Sequence, residues 1–180
     1  MKNTFGNNIS ITLFGESHGE MIGAVLDGIP AGVRVDMESI EKKMNKRRPQ
    51  GSISTARRES DDVRIVSGVM SGISTGTPIT LLIENRDTSS KDYSSLKDSP
   101  RPSHADYTAS VKYRGYQDYR GGGHFSGRLT APIVAAGAIV EEMLRKKGVY
   151  IGTHIKKLHG ISDRDFIDQK KDIDYLENKS

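Results

Sequence analysis

Large apolar side chains are scarce in this chain, and that scarcity limits what it can fold into. Leu, Ile, Val and Phe supply 40 of its 180 residues, or 22%. Below roughly 20% a chain lacks the apolar surface to offset the ordering of its backbone. The core is therefore expected to be lean, with Ala and some of the 19 glycines packed where a richer sequence would place Leu. No run approaches the ~18 apolar residues of a membrane span, and Met1–Asn8 is too polar for a secretory signal. A cytoplasmic protein is expected. Zero cysteines exclude a disulfide scaffold, a Cys-based zinc site and thiol catalysis. With no H-x-x-x-H pair either, no metal centre is expected.

Periodicity places the elements. Ile9–Phe14 and Met21–Asp27 are β-prone runs around the polar loop Gly15-Glu16-Ser17-His18-Gly19-Glu20, which predicts a hairpin. Asp36–Arg48 carries Met37, Ile40 and Met44 at helical spacing, with Asp36 as N-cap and Pro49 as the stop. Val63–Val69 and Ile79–Glu84 read as strands. Gln50–Asp62 and the Ser-rich Arg86–Pro102 read as loops. Ser103 and Asp106 form a capping-box pattern that starts a helix near His104. Leu129–Lys147 is the strongest helix, with Ile133, Ala136, Val140, Met143 and Leu144 on one face and Gly148 as its C-terminal stop. Val149–Ile155 is strand-like, and the charged 161–180 segment follows. The mixed order of elements gives an α+β class.

Four segments carry chemistry-bearing residues. His18, flanked by glycines at a strand end, suits proton transfer, although a turn histidine with no role has the same signature. Arg47 and Arg48 on one side of a Gly-containing loop and Arg57 and Arg58 on the other can fold over an anion and hold it bidentately. A solvated charge run and a nucleic-acid contact are the other readings of that segment. His104 sits in Arg101-Pro102-Ser103-His104-Ala105-Asp106, at the start of the expected helix, where the dipole favours a bound anion. Arg120-Gly121-Gly122-Gly123-His124-Phe125-Ser126-Gly127-Arg128 leads into the long helix, so successive N–H groups can converge on an oxyanion. It is neither a Walker loop nor a Rossmann fingerprint. These residues together are expected to converge on one small, strongly anionic molecule. The 6% aromatic content counts against a single-strand nucleic-acid reader.

Several of these motifs occur in one order: Phe14-Gly15-Glu16-Ser17-His18-Gly19, Arg47-Arg48-Pro49, Arg57-Arg58-Glu59, Gly76-Thr77-Pro78-Ile79, Leu82-Ile83-Glu84-Asn85, Asp92-Tyr93, Arg101 to Asp106, and Asp118-Tyr119-Arg120-Gly121-Gly122-Gly123. From about Asn3 to about Gly160 the chain resembles the N-terminal half of chorismate synthase. The resemblance implies one half of a β-α-β sandwich, antiparallel sheets packed on helices, that assembles into tetramers. Residues 1–160 would be that half and 161–180 a truncated or frayed charged segment. The family converts 5-enolpyruvylshikimate 3-phosphate to chorismate and phosphate by a 1,4-anti elimination. It requires reduced FMN with no net redox change, in the last common step of the shikimate pathway. The resemblance places His18 near the departing phosphate and His104 near the flavin. Arg47, Arg48, Arg57, Arg58, Arg101 and Arg128 fall where the family gathers arginines on the substrate. His124, Phe125 and Ser126 match the FMN-binding stretch, and NADPH is allowed with Arg47 as its contact. The family's commonest form of that stretch is Arg-Ser-Ser-Ala-Arg-Glu-Thr. Here it is His124-Phe125-Ser126-Gly127-Arg128-Leu129-Thr130, which keeps Ser126, Arg128 and Thr130. Family members are roughly twice as long, so the chain is expected to be a fragment of an enzyme.

Overall fold

The computed structural model describes residues 2–48, 60–86, 93, 97 and 99–178, which divide into two compact units, Met1–Ile139 and Val140–Ser180. The first unit is built on a five-stranded antiparallel sheet in the order β1-β2-β3-β7-β4, formed by β1 (Thr4–Gly6), β2 (Ser10–Gly15), β3 (Met21–Asp27), β4 (Val63–Ser67) and β7 (Ile79–Glu84). The expected hairpin is present: β2 pairs with β3 from Ser10↔Asp27 to Gly15↔Ile22. Pairing of β3 with β7 sets Ile22 beside Ile83, Ala24 beside Leu81 and Leu26 beside Ile79, all buried. This alternation gives the sheet one apolar face. It is the period-2 signal that made β3 and β7 readable. The short pair β5 (Val69–Met70) and β6 (Ile73–Ser74) accounts for the rest of the Val63–Val69 run.

Helix α1 (Met37–Arg47) starts where the sequence places it, with the Asp36 carboxylate accepting the Glu38 N–H at 3.1 Å, and it buries Ile40 and Met44. Helix α2 (Asp106–Tyr113) departs from expectation. Its N-cap is Ala105, with no side-chain cap, and Ser103 sits at a φ of +62°. The Asp106 carboxylate turns back to Arg101 instead of closing a capping box, because a guanidinium offers a charged donor pair that a backbone N–H cannot match. His104 therefore lies two residues ahead of the helix.

Helix α3 (Thr130–Arg145) is shorter at both ends than its pattern, and a 3-10 turn at Gly127–Leu129 leads into it. Its buried residues within the first unit are Ala131, Pro132, Ala135, Ala136, Ala138 and Ile139, while Ile133 is 37% exposed. Of the expected face Ala136 is buried and Ile133 is not, and the inward stripe consists mainly of small residues. A lean core brings backbones close, and alanine permits that approach where isoleucine does not.

The second unit contains the end of α3, a short hairpin of β8 (Lys157–Leu158) and β9 (Ile161–Ser162), and α4 (Gln169–Asn178). Among the described residues Val149–Ile155 joins no ladder and is not the strand its composition suggests. Gly152 lies against Ile173 of α4, where a Cβ would come within 2.7 Å of the Ile173 side chain, so this segment packs on a helix and not on a strand. Asp172 begins α4 by accepting the Ile167 and Asp168 N–H groups at 2.8 and 3.1 Å. No helix among the described residues is long and apolar enough to cross a membrane.

Candidate functional site

One end of the five-stranded sheet gathers most of the chemistry. The β2–β3 loop, the last residues of β7 and the start of β4 meet there, since Gly15 pairs with Ile22, Met21 with Glu84 and Val63 with Ile83. His18, 6% exposed, lies in the loop. Its Nδ1 is 3.1 Å from the Ser17 hydroxyl, and that hydroxyl donates to the Arg120 carbonyl at 3.4 Å. The hydroxyl thus links the imidazole to the glycine-rich segment. Tyr93 stands edge-on to the ring at 4.9 Å.

The glycine-rich segment closes over this loop. Gly121, Gly122 and Gly123 all have positive φ, and a Cβ on Gly121 would fall within the His18 imidazole. Only glycine allows that approach. Ser17 N–H donates to the Gly123 carbonyl at 3.1 Å, and His124 Nδ1 reaches the Gly15 carbonyl at 2.9 Å. Asn85 fastens the loop from the other side: its side-chain amide donates to the Glu16 and Gly19 carbonyls at 3.0 and 2.8 Å, and its oxygen accepts from Arg128 Nε at 3.0 Å.

The arginines are engaged with carboxylates. Asp61, whose side chain is 1% exposed, accepts Arg47 Nη1 at 2.7 Å on one oxygen and Arg128 Nη1 on the other. Arg47 also donates to Thr130 Oγ1 and the Gly127 carbonyl, and Arg128 to the Glu84 carbonyl. Arg48 ends α1 beside them. Its Nη1 donates to Asn45, and its Nε is buried with no hydrogen-bond partner among the described residues, on a cavity of about 170 Å³ that Asp61 also lines. Arg101 clamps Asp106 at 2.8 and 3.0 Å, and this bond holds the Asp106 carboxyl down at about 2. Arg120 clamps Asp118. Burial works to raise the Asp118 carboxyl, but the side-chain and backbone hydrogen bonds from Arg120 outweigh it and leave it lowered.

Thus Arg47, Arg48 and Arg128 come together, Arg128 being tied through Asn85 to the His18 loop, while Arg101 is held by its own neighbour. His104 is exposed, its Nδ1 bonded to the Pro102 carbonyl at 3.0 Å. Arg57 and Arg58 lie outside the described residues. Sequence reasoning gave no role to Asp61, Asn85 or Asp118. The one signal for Asp61 is a carboxylate directly before a strand and after an arginine-rich loop.

A cavity of about 360 Å³ opens beside the glycine-rich segment, walled by Phe14, Tyr113, Tyr116 and Phe125 with Glu16 and Asp118 on its lining. Phe14 can lie across the sheet because residue 23 is glycine; a Cβ there would occupy the space of its ring. Gln117 Oε1, buried without a hydrogen-bond partner among the described residues, belongs to a residue lining this cavity and a neighbouring one of about 150 Å³. Aromatic walls with acidic groups and one orphan acceptor suit a flat, donor-bearing ring and disfavour a phosphate.

The comparisons with known proteins agree with one another. A family model described as chorismate synthase matches residues 9–179. Chorismate synthase of Pyrococcus abyssi is 51% identical over 153 residues, covering 85% of this chain and 43% of that protein. That of Nitratiruptor sp. is 47% identical over 174 residues, covering 96% and 47%. A crystal structure of a chorismate synthase superposes with a TM-score of 0.55 at 29% identity, over 78% of this chain and 34% of that one. The chain spans less than half the length of these relatives.

Proposed function

The chain belongs to the chorismate synthase family, and from that premise we propose that it forms the N-terminal half of an enzyme that converts 5-enolpyruvylshikimate 3-phosphate to chorismate and phosphate. The observation that carries the reading is the cluster at the sheet end. There a buried imidazole, a glycine-rich segment, Arg47 and Arg128 are tied into one hydrogen-bonded assembly through Asn85 and Asp61, with Arg48 beside them on the cavity that Asp61 lines. Such a site lowers a barrier by preorganised charge and not by a protein nucleophile.

In this reading Arg47, Arg48 and Arg128 hold the anionic groups of the substrate, joined by Arg57, Arg58 and Arg101. His18 gives a proton to the departing phosphate while the Ser17 hydroxyl holds the ring at Nδ1. The walls of the 360 Å³ cavity and the positive-φ glycines fit a flavin ring. His124, Phe125 and Ser126 would hold it, with Gln117 Oε1 accepting one of its N–H groups, and His104 would stand at its edge. When bound, reduced FMN supplies electron density to the breaking C–O bond. NADPH as its reductant at Arg47, a tetrameric assembly and a cytoplasmic location belong to the same reading.

The test is phosphate release under anaerobic conditions with reduced FMN. It is measured on this chain alone and supplemented with the remaining segment of the Pyrococcus abyssi relative. If neither form releases phosphate, the reading is wrong. In the form that turns over, His18→Ala and His104→Ala are expected to slow product formation and retain flavin binding; unaltered rates in both would remove them from the mechanism. Arg48→Ala is expected to weaken substrate more than flavin, and the reverse order would take Arg48 out of the substrate contacts.

A further inference from the structure

We propose that Asp61 is a positioning residue that holds Arg47 and Arg128 as a preset pair for the substrate's anionic groups. The inference rests on the reading of those two arginines as substrate contacts and adds what fixes their geometry. Each Asp61 oxygen serves a different guanidinium, and the carboxylate is nearly sealed from water. The two arginines come from distant places, the end of α1 and the turn before α3, which share no helix or ladder. Without a negative charge between them, two guanidiniums drawn together would repel, and long side chains would disperse to separate rotamers.

The outer bonds of each guanidinium complete the case. Arg47 also grips Thr130 Oγ1 at 3.2 Å and the Gly127 carbonyl at 3.3 Å, and Arg128 grips Asn85 at 3.0 Å and the Glu84 carbonyl at 3.2 Å. Donors of both are thus oriented by fixed acceptors, with Asp61 as the acceptor common to the two. Asp61 itself has a φ of +51°, a conformation disfavoured for a residue with a Cβ and best tolerated by Asp and Asn. A chain that keeps a buried charge on such a backbone places the carboxylate and not the backbone first.

The clamp is tested directly by side-chain ¹⁵N relaxation at arginine Nε in the unaltered chain. Arg47 and Arg128 are expected to be as ordered as the backbone, and Arg34, 68% exposed and paired with Asp36 only at 3.7 Å, is expected to be mobile. Arg47 or Arg128 signals as mobile as those of Arg34 overturn the proposal whatever the variants do. In the form that turns over, Asp61→Asn is expected to raise the substrate Kd about tenfold with flavin affinity unchanged, and to add little in an Arg47→Ala background. Asp61→Glu, which keeps the charge, is expected to recover part of the loss. Substrate binding unaltered in Asp61→Asn but weakened in Arg47→Ala, or equal losses of substrate and flavin affinity, overturns the positioning role. If Arg47→Ala and Arg128→Ala both bind substrate like the parent, it is the reading of the arginines that fails, and the relaxation measurement still decides whether Asp61 holds them.

Discussion

Arg101 grips Asp106 through two guanidinium bonds and a backbone N–H at 3.0 Å, and the carboxyl titrates at about 2 as a result. An unfolded aspartate titrates near about 4, so the folded value is the lower one. The stability this pair contributes is present above about pH 4 and is lost as pH falls toward about 2. Asp106→Asn is expected to flatten that part of the profile of urea midpoint against pH; an unchanged slope would show that the clamp contributes nothing. Gly121 makes a second prediction at this scale. Gly121→Ala sets a Cβ against the His18 ring at a φ of +59°, and is expected to cost about 1–3 kcal/mol by backbone strain and overpacking. A change in the His18 ring resonances should accompany the loss of Tm. The arginine clamps were not legible in sequence. Arg101 and Asp106 stand in one motif that reads equally well as a helix cap, and only the observed geometry shows the guanidinium winning the carboxylate.

Elements whose signal is local are the ones that read correctly. β3 and β7 have the residues Met21–Asp27 and Ile79–Glu84 in both readings because one face of each is buried, and the alternation is written into the side chains. Helix α1 begins at its expected cap for the same reason. Asp36→Ala is expected to destabilise the protein by about 1 kcal/mol, seen as a lower urea midpoint at constant slope. Gly23→Ala tests the sheet: the added methyl meets the Phe14 ring and the Leu81 carbonyl. It should destabilise the β2–β3 hairpin and alter the cavity that Phe14 walls, so lower Tm and weaker flavin binding are expected together. Helix α3 was readable as a helix but not in orientation. Of the face read from its spacing, Ala136 is buried and Ile133 is exposed, because close approach to the core favours small side chains. Val149–Ile155 failed as a strand because composition records β preference but not whether a partner edge exists.

At the scale of the molecule, exposed Tyr107, Val111 and Tyr116 around α2, and Ile155, Leu158 and Ile161 in the second unit, present apolar surface to solvent. Concentration-dependent self-association is expected in sedimentation velocity, and a monomer at every concentration would refute it. Free FMN at 100 times its Kd is expected to stabilise the fold by about 2.7 kcal/mol, visible as a rise in Tm with FMN that is absent in FMN-free buffer. The amino-acid sequence by itself determined the α+β class, the main strands, the cap of α1 and the family, because periodicity, capping and contiguous motifs are local properties of a chain. Tertiary structure alone decided that Asp61 joins Arg47 to Arg128, that Asn85 fastens the His18 loop, and that Arg101 and Arg120 turn to neighbouring carboxylates. The first two depend on sheet register and on which distant side chain arrives within about 3 Å; the arginine clamps are local, but linear spacing allows a helix cap as readily as a guanidinium pair.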